Sequence, residues 1–245
     1  MKLLLLDIET SPNTAYVWGI WQENIPLARL IESSKVLCWT AKWYGEDEIY
    51  FQSTYKTKEK TMLKRIHKLL DAADAVITYN GNKFDLLVLN KEFFLNGLSP
   101  PAPYKSVDLY KTVKSKFRFV SNKMDYVCQQ LGIGKKVETD FSLWVRCTQG
   151  DPTAWKHMEE YNINDVLMLE GLYDKIKPWI KGHPNHSVHT SSLVCPRCGG
   201  DHIQSRGFTT LQAHKYRRLQ CTSCGHWFRS NKAEKQETTE KYVDL

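Results

Sequence analysis

The sequence predicts a mixed α/β fold, in which helices pack on a central sheet, followed by a small metal-binding domain. Segments typical of strands come first and then alternate with segments typical of helices, which indicates a mixed sheet flanked by helices. Two CxxC pairs, CPRC at 195–198 and CTSC at 221–224, lie further along the chain. That spacing is typical of a metal ion held by thiolates. A chain of 245 residues has room for one ordinary domain and a small one.

The elements of the larger domain follow from local composition and periodicity. Runs rich in Val, Ile and aromatic residues predict strands over 2–8, 15–21, 36–44, 48–52, 75–80 and 106–110. Apolar residues spaced three and four apart predict helices over 58–72, 84–94, 122–131 and 152–176, the last as one long helix or two shorter ones. Asp151-Pro152 marks the start of that last region, because Asp caps a helix and Pro suits its first turn.

The composition changes after Pro178 and sets the expected domain boundaries. We expect a first domain over 1–180, a polar linker over 181–192, a small domain over 193–230 and a disordered tail over 231–245. The three histidines of the linker could bind metal, but solvated linker residues are the better interpretation. No apolar run is long enough to span a bilayer, and MKLLLLDIET turns acidic too soon for a signal peptide, so the cytoplasm is the expected location.

The positive charge of the chain is concentrated in one segment. The formal net charge is +7, and residues 195–230 carry six Lys or Arg residues against Asp201 alone. A clustered basic segment is typical of a protein that binds a polyanion, although a basic surface without such a role has the same composition.

Three acidic motifs are the main candidates for chemistry. LLLLDIET places Asp7 and Glu9 two apart at the end of an apolar strand, where both side chains face one side. Burying carboxylates there is costly unless something compensates their charge. YNGNKFD places Asp85 at the start of the next helix, and YNIND places Tyr161 and Asp165 four apart on one helix face. Each motif alone has an ordinary structural interpretation, as a solvated turn, a helix-start acid or a core tyrosine beside a surface acid.

Together the motifs D-x-E, N-x-x-x-F-D and Y-x-x-x-D resemble the DEDD exonucleases of the ribonuclease H-like superfamily, in the subgroup with a tyrosine in the third motif. The resemblance covers residues 1–176. Within that range the sequence is most similar to stand-alone predicted nucleases of bacteria and phages. It implies a ribonuclease H-like fold and a 3′–5′ exonuclease that hydrolyses phosphodiester bonds with two Mg²⁺ or Mn²⁺ ions. Such ions would activate water, clamp the scissile phosphate and stabilise the leaving oxygen, and four carboxylates suit hard cations.

The resemblance also implies a role for each motif residue. Asp7 would bridge both ions, Glu9 and Asp165 would complete the first site, and Asp85 would hold the second, either directly or through water. Tyr161 would orient the attacking water, because a pKa near 10 makes tyrosine a poor general base. Weaker candidates for contact with nucleic acid are Thr10, Asn80, Asn82, Phe84, Lys135 and Lys136.

Two acids and three cysteines fall outside these motifs. We expect Asp108 and Asp140 to have structural roles or to hold the site residues in place without binding metal, because Asp165 already supplies the fourth ligand. Cys38, Cys128 and Cys147 lie in apolar segments, which predicts buried core thiols.

The paired CxxC segment predicts one structural Zn²⁺ held by Cys195, Cys198, Cys221 and Cys224. A rubredoxin-like iron site would use the same ligands. The segment resembles zinc ribbons of transposases and transcription-related proteins, above all in the sequence KYRRLQCTSCGHWFRS at 215–230. Positive charge and aromatic rings favour contact with nucleic acid, and the candidates are Lys215, Arg217, Arg218, Trp227 and Arg229. A ribbon that binds a protein partner is the alternative, and Phe228 is better read as ribbon core.

The sequence leaves three functions open. The first is the metal-dependent exonuclease, with DNA favoured over RNA, a basic zinc ribbon that assists binding, and a possible replication or repair protein as partner. The second is a structure-selective endonuclease of the same superfamily. The third is a non-catalytic platform that binds nucleic acid, against which the presence of all five motif residues argues.

Overall fold

The computed structural model describes residues 1–21, 24–211 and 214–234. Its chain divides into two units, Lys2–Asp174 and Lys175–Leu245, the latter together with Met1. None of the helices in the described ranges combines the length and the apolar character needed to cross a membrane.

The elements of the first unit alternate as expected after an initial run of strands. The strands are β1 (Leu3–Thr10), β2 (Thr14–Ala15), β3 (Leu30–Glu32), β4 (Val36–Trp43), β5 (Ile49–Ser53), β6 (Ala75–Thr78) and β7 (Lys105–Asp108). The helices are α1 (Glu59–Asp71), α2 (Asp85–Leu95), α3 (Leu109–Lys116), α4 (Met124–Gln130), α5 (Phe141–Thr148) and α6 (Pro152–Ile176), which runs two residues into the second unit.

A five-stranded mixed sheet with the order β5-β4-β1-β6-β7 forms the centre of this unit. Strand β1 pairs antiparallel with β4 and parallel with β6, and β6 pairs parallel with β7. Because β1 has a neighbour on each side and helices on both faces, its leucine run is buried throughout. The expected mixed sheet flanked by helices is confirmed.

The two faces of β1 serve different purposes. Leu4, Leu6 and Ile8 join a buried cluster with residues of α1 and α2, such as Ile66 and Leu89. Since side chains alternate along a strand, Asp7 and Glu9 point to the opposite face. A second buried cluster joins residues of β4, α5 and α6. The two carboxylates of β1 therefore lie on the face that α6 covers, as the bond between Asn162 and Asp7 shows.

The predicted strand over 15–21 is wrong. Only Thr14 and Ala15 pair, with the short strand β3, and Trp18 is 93% exposed. Aromatic composition favoured a strand, but this segment has neither a long partner strand nor a buried face to stabilise it.

The predicted strand over 106–110 is too long, and two helices were not predicted. Asp108 ends β7 and caps α3, because its carboxylate accepts from the Tyr110 amide at 3.1 Å. Asp140 caps α5 in the same way, accepting from the Ser142 amide at 2.8 Å. Both acids therefore have the structural roles expected of them.

The second unit contains a three-stranded antiparallel sheet with the order β10-β9-β8. Its strands are β8 (Ile203–Leu211), β9 (His214–Cys221) and β10 (Trp227–Arg229). Within the segment expected as a linker, His186–His189 forms a short 3-10 helix, and the His186 amide donates to the carbonyl of Pro196 at 3.0 Å. Of the tail expected to be disordered, 235–245 lie outside the described residues, while the Glu234 amide donates to the Lys215 carbonyl at 2.8 Å.

Candidate active site

Three predicted carboxylates converge although they lie far apart in sequence. Strand β1 supplies Asp7 and Glu9, and helix α6 supplies Asp165. One carboxylate oxygen of each lies within 4.8 Å of the others. The β-strand spacing of two places the first pair on one face, and the packing of α6 on that face brings in the third.

Asp85 lies at the edge of this group, at the first position of α2. Its Oδ1 accepts a hydrogen bond from the amide of Ile8 at 3.1 Å, which ties α2 to β1 between Asp7 and Glu9. Burial raises the pKa of Asp85 to about 7, against the lowering effect of hydrogen bonds from its own amide and that of Ile8. Asp85 is not part of the close group of three, yet its charge raises the pKa of Asp7.

The three close carboxylates hold their negative charges at a cost. Burial, followed by the charges of Asp85 and Asp165, raises the pKa of Asp7 well above its usual range. Burial raises the pKa of Glu9 to about 7, although a hydrogen bond from Trp144 lowers it. Burial also raises the pKa of Asp165, against the lowering effect of Lys136. The site therefore favours a bound cation over three free charges.

Lys136 supplies one positive charge directly to this group. Its ammonium donates to Oδ2 of Asp165 and, at 3.1 Å, to the hydroxyl oxygen of Tyr161. Burial alone would lower the pKa of Lys136, but Asp165 and Tyr161 raise it above its usual range. Sequence analysis placed Lys136 only among residues that contact nucleic acid, and its position against the carboxylates was not foreseen.

Tyr161 lies one helical turn before Asp165, beside the carboxylates. Its ring packs edge-on against Trp144, with centroids 5.7 Å apart. Burial, and then the charge of Asp165, raises the pKa of its hydroxyl far above the ordinary value for tyrosine. The hydroxyl therefore stays protonated near neutral pH and can donate a hydrogen bond, but it cannot serve as a base.

Three residues that sequence analysis missed hold the carboxylates in place. The side-chain amide of Asn162 donates to Oδ2 of Asp7 at 2.6 Å and accepts from the hydroxyl of Thr40 at 2.6 Å. The indole of Trp144 donates to Oε2 of Glu9 at 3.0 Å. Asn162 could have been found, because it lies three residues before Asp165 and thus near the same helix face. No sequence signal points to Thr40 or Trp144.

The chemistry of these residues fits divalent cations. Oδ1 of Asp165 is buried and has no hydrogen-bond partner among the described residues, which is costly unless a ligand occupies it. The donors are all carboxylate oxygens, the ligands that Mg²⁺ and Mn²⁺ prefer. Asp7, Glu9 and Asp165 could hold one ion. Asp85, whose charge raises the pKa of Asp7, could contribute to a second.

The weaker candidates for contact with nucleic acid are scattered. Thr10 ends β1 at a register shift, and Asn80 has φ 65° while its amide donates to Asp108 at 2.8 Å. Asn82 accepts from the hydroxyl of Ser106 and so turns toward β7. Phe84 is 41% exposed just before α2, and Lys135 faces Glu138 at 3.4 Å. Only Lys136 enters the carboxylate group.

An open cleft of about 790 Å³ leads to Asp7. Its lining combines cations, aromatic rings and amides, and includes Tyr79, Asn80, Lys83, Tyr110, Asn122, Lys123 and Lys136. Positive charge beside an acidic site suits a phosphate-bearing ligand. Of the weaker candidates for contact with nucleic acid, Asn80 and Lys136 line this cleft.

The four cysteines of the second unit form a separate cluster. Their sulfurs lie within 4.8 Å of one another, and the Cys195–Cys224 and Cys198–Cys221 sulfur pairs are each 3.7 Å apart. A tetrahedron with Zn–S bonds of about 2.3 Å has edges of about 3.8 Å. The cluster thus fits a four-thiolate metal ion and is far too open for disulfides. Cys38, Cys128 and Cys147 are buried in the first unit, as expected.

The five candidates for nucleic-acid contact in this unit lie on the β10-β9-β8 sheet, whose strand β9 ends at Cys221 of this cluster. Lys215, Arg217 and Arg218 belong to β9, whereas Trp227 and Arg229 belong to β10. The alternation of strand side chains divides them between two faces, so they do not form one surface.

Comparison with known proteins agrees with the fold. The family model of the RNase_H superfamily matches residues 36–177, which is more than half of the chain. That match begins after β1 and so does not include Asp7 or Glu9. No curated protein sequence matches the chain.

Among the similar solved structures is the family B DNA polymerase of the hyperthermophilic archaeon Pyrobaculum calidifontis. It shares 18% sequence identity with a TM-score of 0.55, over 72% of this chain and 24% of the polymerase. The chain thus spans about a quarter of that polymerase, and at this identity the likeness concerns the fold. With the family match over residues 36–177, this mixed sheet shows that the chain belongs to the RNase_H superfamily.

Proposed function

We propose that the protein is a metal-dependent 3′–5′ exonuclease that hydrolyses phosphodiester bonds, with DNA the favoured substrate. The observation that carries the proposal is the convergence of Asp7, Glu9 and Asp165, where one buried carboxylate oxygen of Asp165 has no hydrogen-bond partner in the described part of the chain. The preference for DNA rests on the resemblance of the motifs to the DEDD family. The direction of digestion rests on the resemblance to the DEDD family.

The carboxylates would bind two divalent ions, Mg²⁺ or Mn²⁺. Asp7, whose pKa is raised by burial and then by the charges of Asp85, Asp165 and Glu9, would be shared by both ions. Glu9 and Asp165 would complete the first site, and Asp85 would serve the second. When bound, such ions supply Lewis acidity toward water and phosphate and neutralise charge on the leaving oxygen. Trp144 and Asn162 keep Glu9 and Asp7 oriented, which preserves the geometry that ion binding needs.

Tyr161 and Lys136 would act on the substrate side of the carboxylates. Because the pKa of Tyr161 is raised, its protonated hydroxyl would orient the attacking water by a hydrogen bond. Lys136 holds that hydroxyl at 3.1 Å and would add positive charge where the phosphate gains negative charge in the transition state. Neither residue is required to lose a proton.

In the second unit the four cysteines would hold one structural Zn²⁺, and the basic ribbon would assist substrate binding. With four thiolates as ligands no open position remains for a substrate, so the ion would stabilise the fold of the segment. The ribbon would raise the local concentration of nucleic acid at the first unit.

A digestion ladder tests the exonuclease. The full chain with Mg²⁺ or Mn²⁺ is given single- and double-stranded DNA and RNA, labelled at either end. Asp165→Asn is the site variant, and Asp47→Asn, an exposed acid outside the site, is the matched control. We expect a ladder of single nucleotides that shortens from the 3′ end with the wild type and the control, and none with Asp165→Asn.

Other outcomes of the ladder replace the proposal. Internal cuts would identify a structure-selective endonuclease instead. Binding without cleavage under either metal ion would identify a non-catalytic platform. Cleavage that survives Asp165→Asn would overturn the assignment of the site.

A further inference from the structure

The β10-β9-β8 sheet, called here the ribbon sheet, carries different side chains on its two faces. The register pairs Arg218 with Arg229 and Gln220 with Trp227. Directly opposed residues lie on one face, as do residues two apart on a strand. One face, called here the arginine–aromatic face, therefore carries two arginines and two aromatic rings: Tyr216, Arg218, Trp227 and Arg229. Phe208, Lys215, Arg217, Leu219 and Phe228 lie on the opposite face.

The opposite face is already used within the unit. Leu219 is buried, and Leu219 and Phe228 line a cavity with Val188 and Pro196. The guanidinium of Arg217 donates to Glu234 at 3.1 Å, so its charge is paired. The remaining cation of this face, Lys215, lies 4.2 Å from the ring centre of Phe208.

The arginine–aromatic face is open and carries unpaired charge. The guanidinium carbon of Arg229 lies 4.2 Å from the ring centre of Tyr216, and that of Arg218 lies 5.4 Å from Trp227. Arg218 donates to the carbonyl of Arg206 at 2.9 Å and Arg229 to that of Ser230 at 2.8 Å. These acceptors are neutral, and within 1–21, 24–211 and 214–234 no carboxylate pairs with either arginine.

We infer that the arginine–aromatic face binds single-stranded nucleic acid. Arg218 and Arg229 would hold phosphates, and unpaired bases would stack on the half-exposed ring of Trp227 and on the guanidinium planes. A duplex hides the faces of its bases, so it could use the charges but not the rings. An acidic protein segment has the same limitation. The substrate class rests on the proposed function, while the binding face does not depend on the nuclease site.

The two ring–arginine pairs determine how large a loss of binding affinity we expect. Each pair would engage about one base and one phosphate. For a single strand, two phosphate contacts contribute about −1.4 to the slope of log binding constant against log salt. Loss of both arginines should therefore weaken binding and also reduce its salt dependence.

Fluorescence anisotropy tests this inference with the full chain. The background is Asp165→Asn, which keeps the probe intact, and the probe is a fluorescein-labelled oligodeoxythymidine of about 12 nucleotides. The test variant Arg218→Gln/Arg229→Gln and the matched control Lys215→Gln/Arg217→Gln remove the same charge from opposite faces. We expect about a tenfold or greater loss of affinity for the first, less than about threefold for the second, and the reduced salt slope only for the first.

Further variants keep the outcome decisive. Trp227→Ala should weaken single-strand binding about tenfold and leave duplex binding nearly unchanged. Arg218→Lys/Arg229→Lys keeps the charge but removes the planar groups, and we expect a smaller loss than with glutamine. The zinc content of each variant shows whether the ribbon has kept its fold. If the glutamine variant loses zinc, the lysine variant and Trp227→Ala decide the question.

The overturning results are distinct. Equal losses for the two charge-matched variants would mean that only net charge matters. Tighter binding of duplex than of single strand, or equal binding of polyglutamate, would remove the inference. The digestion ladder is read separately, so binding by this face without any cleavage would refute the exonuclease alone. A full ladder with unaltered binding in the variants would refute only this face.

Discussion

Lys136 donates a hydrogen bond from its ammonium to Oδ2 of Asp165, across the interior of the acidic site. The same nitrogen lies 3.1 Å from the hydroxyl oxygen of Tyr161. One side chain thus touches a proposed metal ligand and the proposed water-orienting group. Lys136 and a divalent ion would compensate the same carboxylate, so they should compete for it while both favour catalysis.

Replacement of Lys136 should separate these two effects. In Lys136→Met we expect tighter Mg²⁺ binding, by about three- to tenfold, because the competing charge is gone. We also expect kcat to fall by about ten- to a hundredfold, since Tyr161 loses its partner and the transition state loses a positive charge. Calorimetric titration with Mg²⁺ and the rate at saturating metal measure the two quantities.

Lys135→Met provides the control for charge, because Lys135 is the exposed neighbour and faces Glu138. It should leave both quantities nearly unchanged. If Lys136→Met weakened Mg²⁺ binding, Lys136 would be a support for the ligands and not a competitor.

Asn162 should be needed for the geometry of Asp7. Asn162→Leu removes the amide that joins Asp7 to Thr40, both at 2.6 Å, within a fully buried position. Leaving buried partners unsatisfied costs about 1–3 kcal/mol of unfolding free energy. We expect that loss in urea denaturation, together with weaker Mg²⁺ binding. Asn164→Leu, two residues along α6 and outside the carboxylate group, should change Mg²⁺ binding little, and equal effects of the two variants would refute the role of Asn162.

Much of the fold could be predicted from sequence because strong periodicity coincided with burial. The leucine run of β1 and the apolar spacing of α1 and α6 gave elements within one or two residues of those observed. The strand prediction over 15–21 failed because aromatic composition says nothing about a partner strand, and among the described residues no strand pairs with this segment beyond Ala15. Helix α5 was missed because it is short and is stabilised by its Asp140 cap and by Leu143 and Cys147 in the core.

The candidate site divides in the same way. Asp7 with Glu9, and Tyr161 with Asp165, are neighbours along single elements, so their shared faces follow from local geometry. The contact of Lys136 with Asp165 depends on where a loop passes over α6, and local spacing carries no information about that. Trp144 reaches Glu9 for the same reason only after α5 has packed.

The raised pKa of Glu9 should make the stability of the metal-free protein fall as pH rises. Its pKa is about 7 in the fold, above its value in the unfolded chain, so folding takes up a proton between those values. The contribution of Glu9 to the free energy of unfolding is thus present at about pH 4.5 and lost as pH rises through about 7. Asp85 contributes with the same sign.

The difference between wild type and Glu9→Gln isolates this contribution. His186 and His226 have lowered pKa values, mainly from burial, and give the opposite slope near their ordinary range in both proteins. We expect thermal denaturation to show that Glu9→Gln gains stability over wild type as pH is raised from 5 to about 8 without metal. Saturating Mg²⁺ should reverse that gain, because the ion favours the charged carboxylate. If the stability difference between the two proteins stayed the same across this pH range, the pKa of Glu9 would not be raised in the fold.

Removal of one thiolate should release zinc and unfold the ribbon while the first unit keeps its structure. The sulfur pairs at 3.7 Å match a tetrahedral site, and the basic segment around them has few buried apolar residues, such as Leu219. Small domains of this kind depend on the bound ion for their stability. Cys198→Ser should therefore contain less than about a tenth of the zinc of wild type, and metal analysis of the purified chain measures it.

Cys147→Ser, at a buried thiol of the first unit, should keep one zinc per chain. Loss of zinc in both variants would mean that the metal reports general unfolding, and iron in wild type would identify the rubredoxin-like alternative. With Mg²⁺ and a short substrate at saturation, the Cys198→Ser chain should retain its rate of hydrolysis, because all the proposed catalytic residues belong to the first unit.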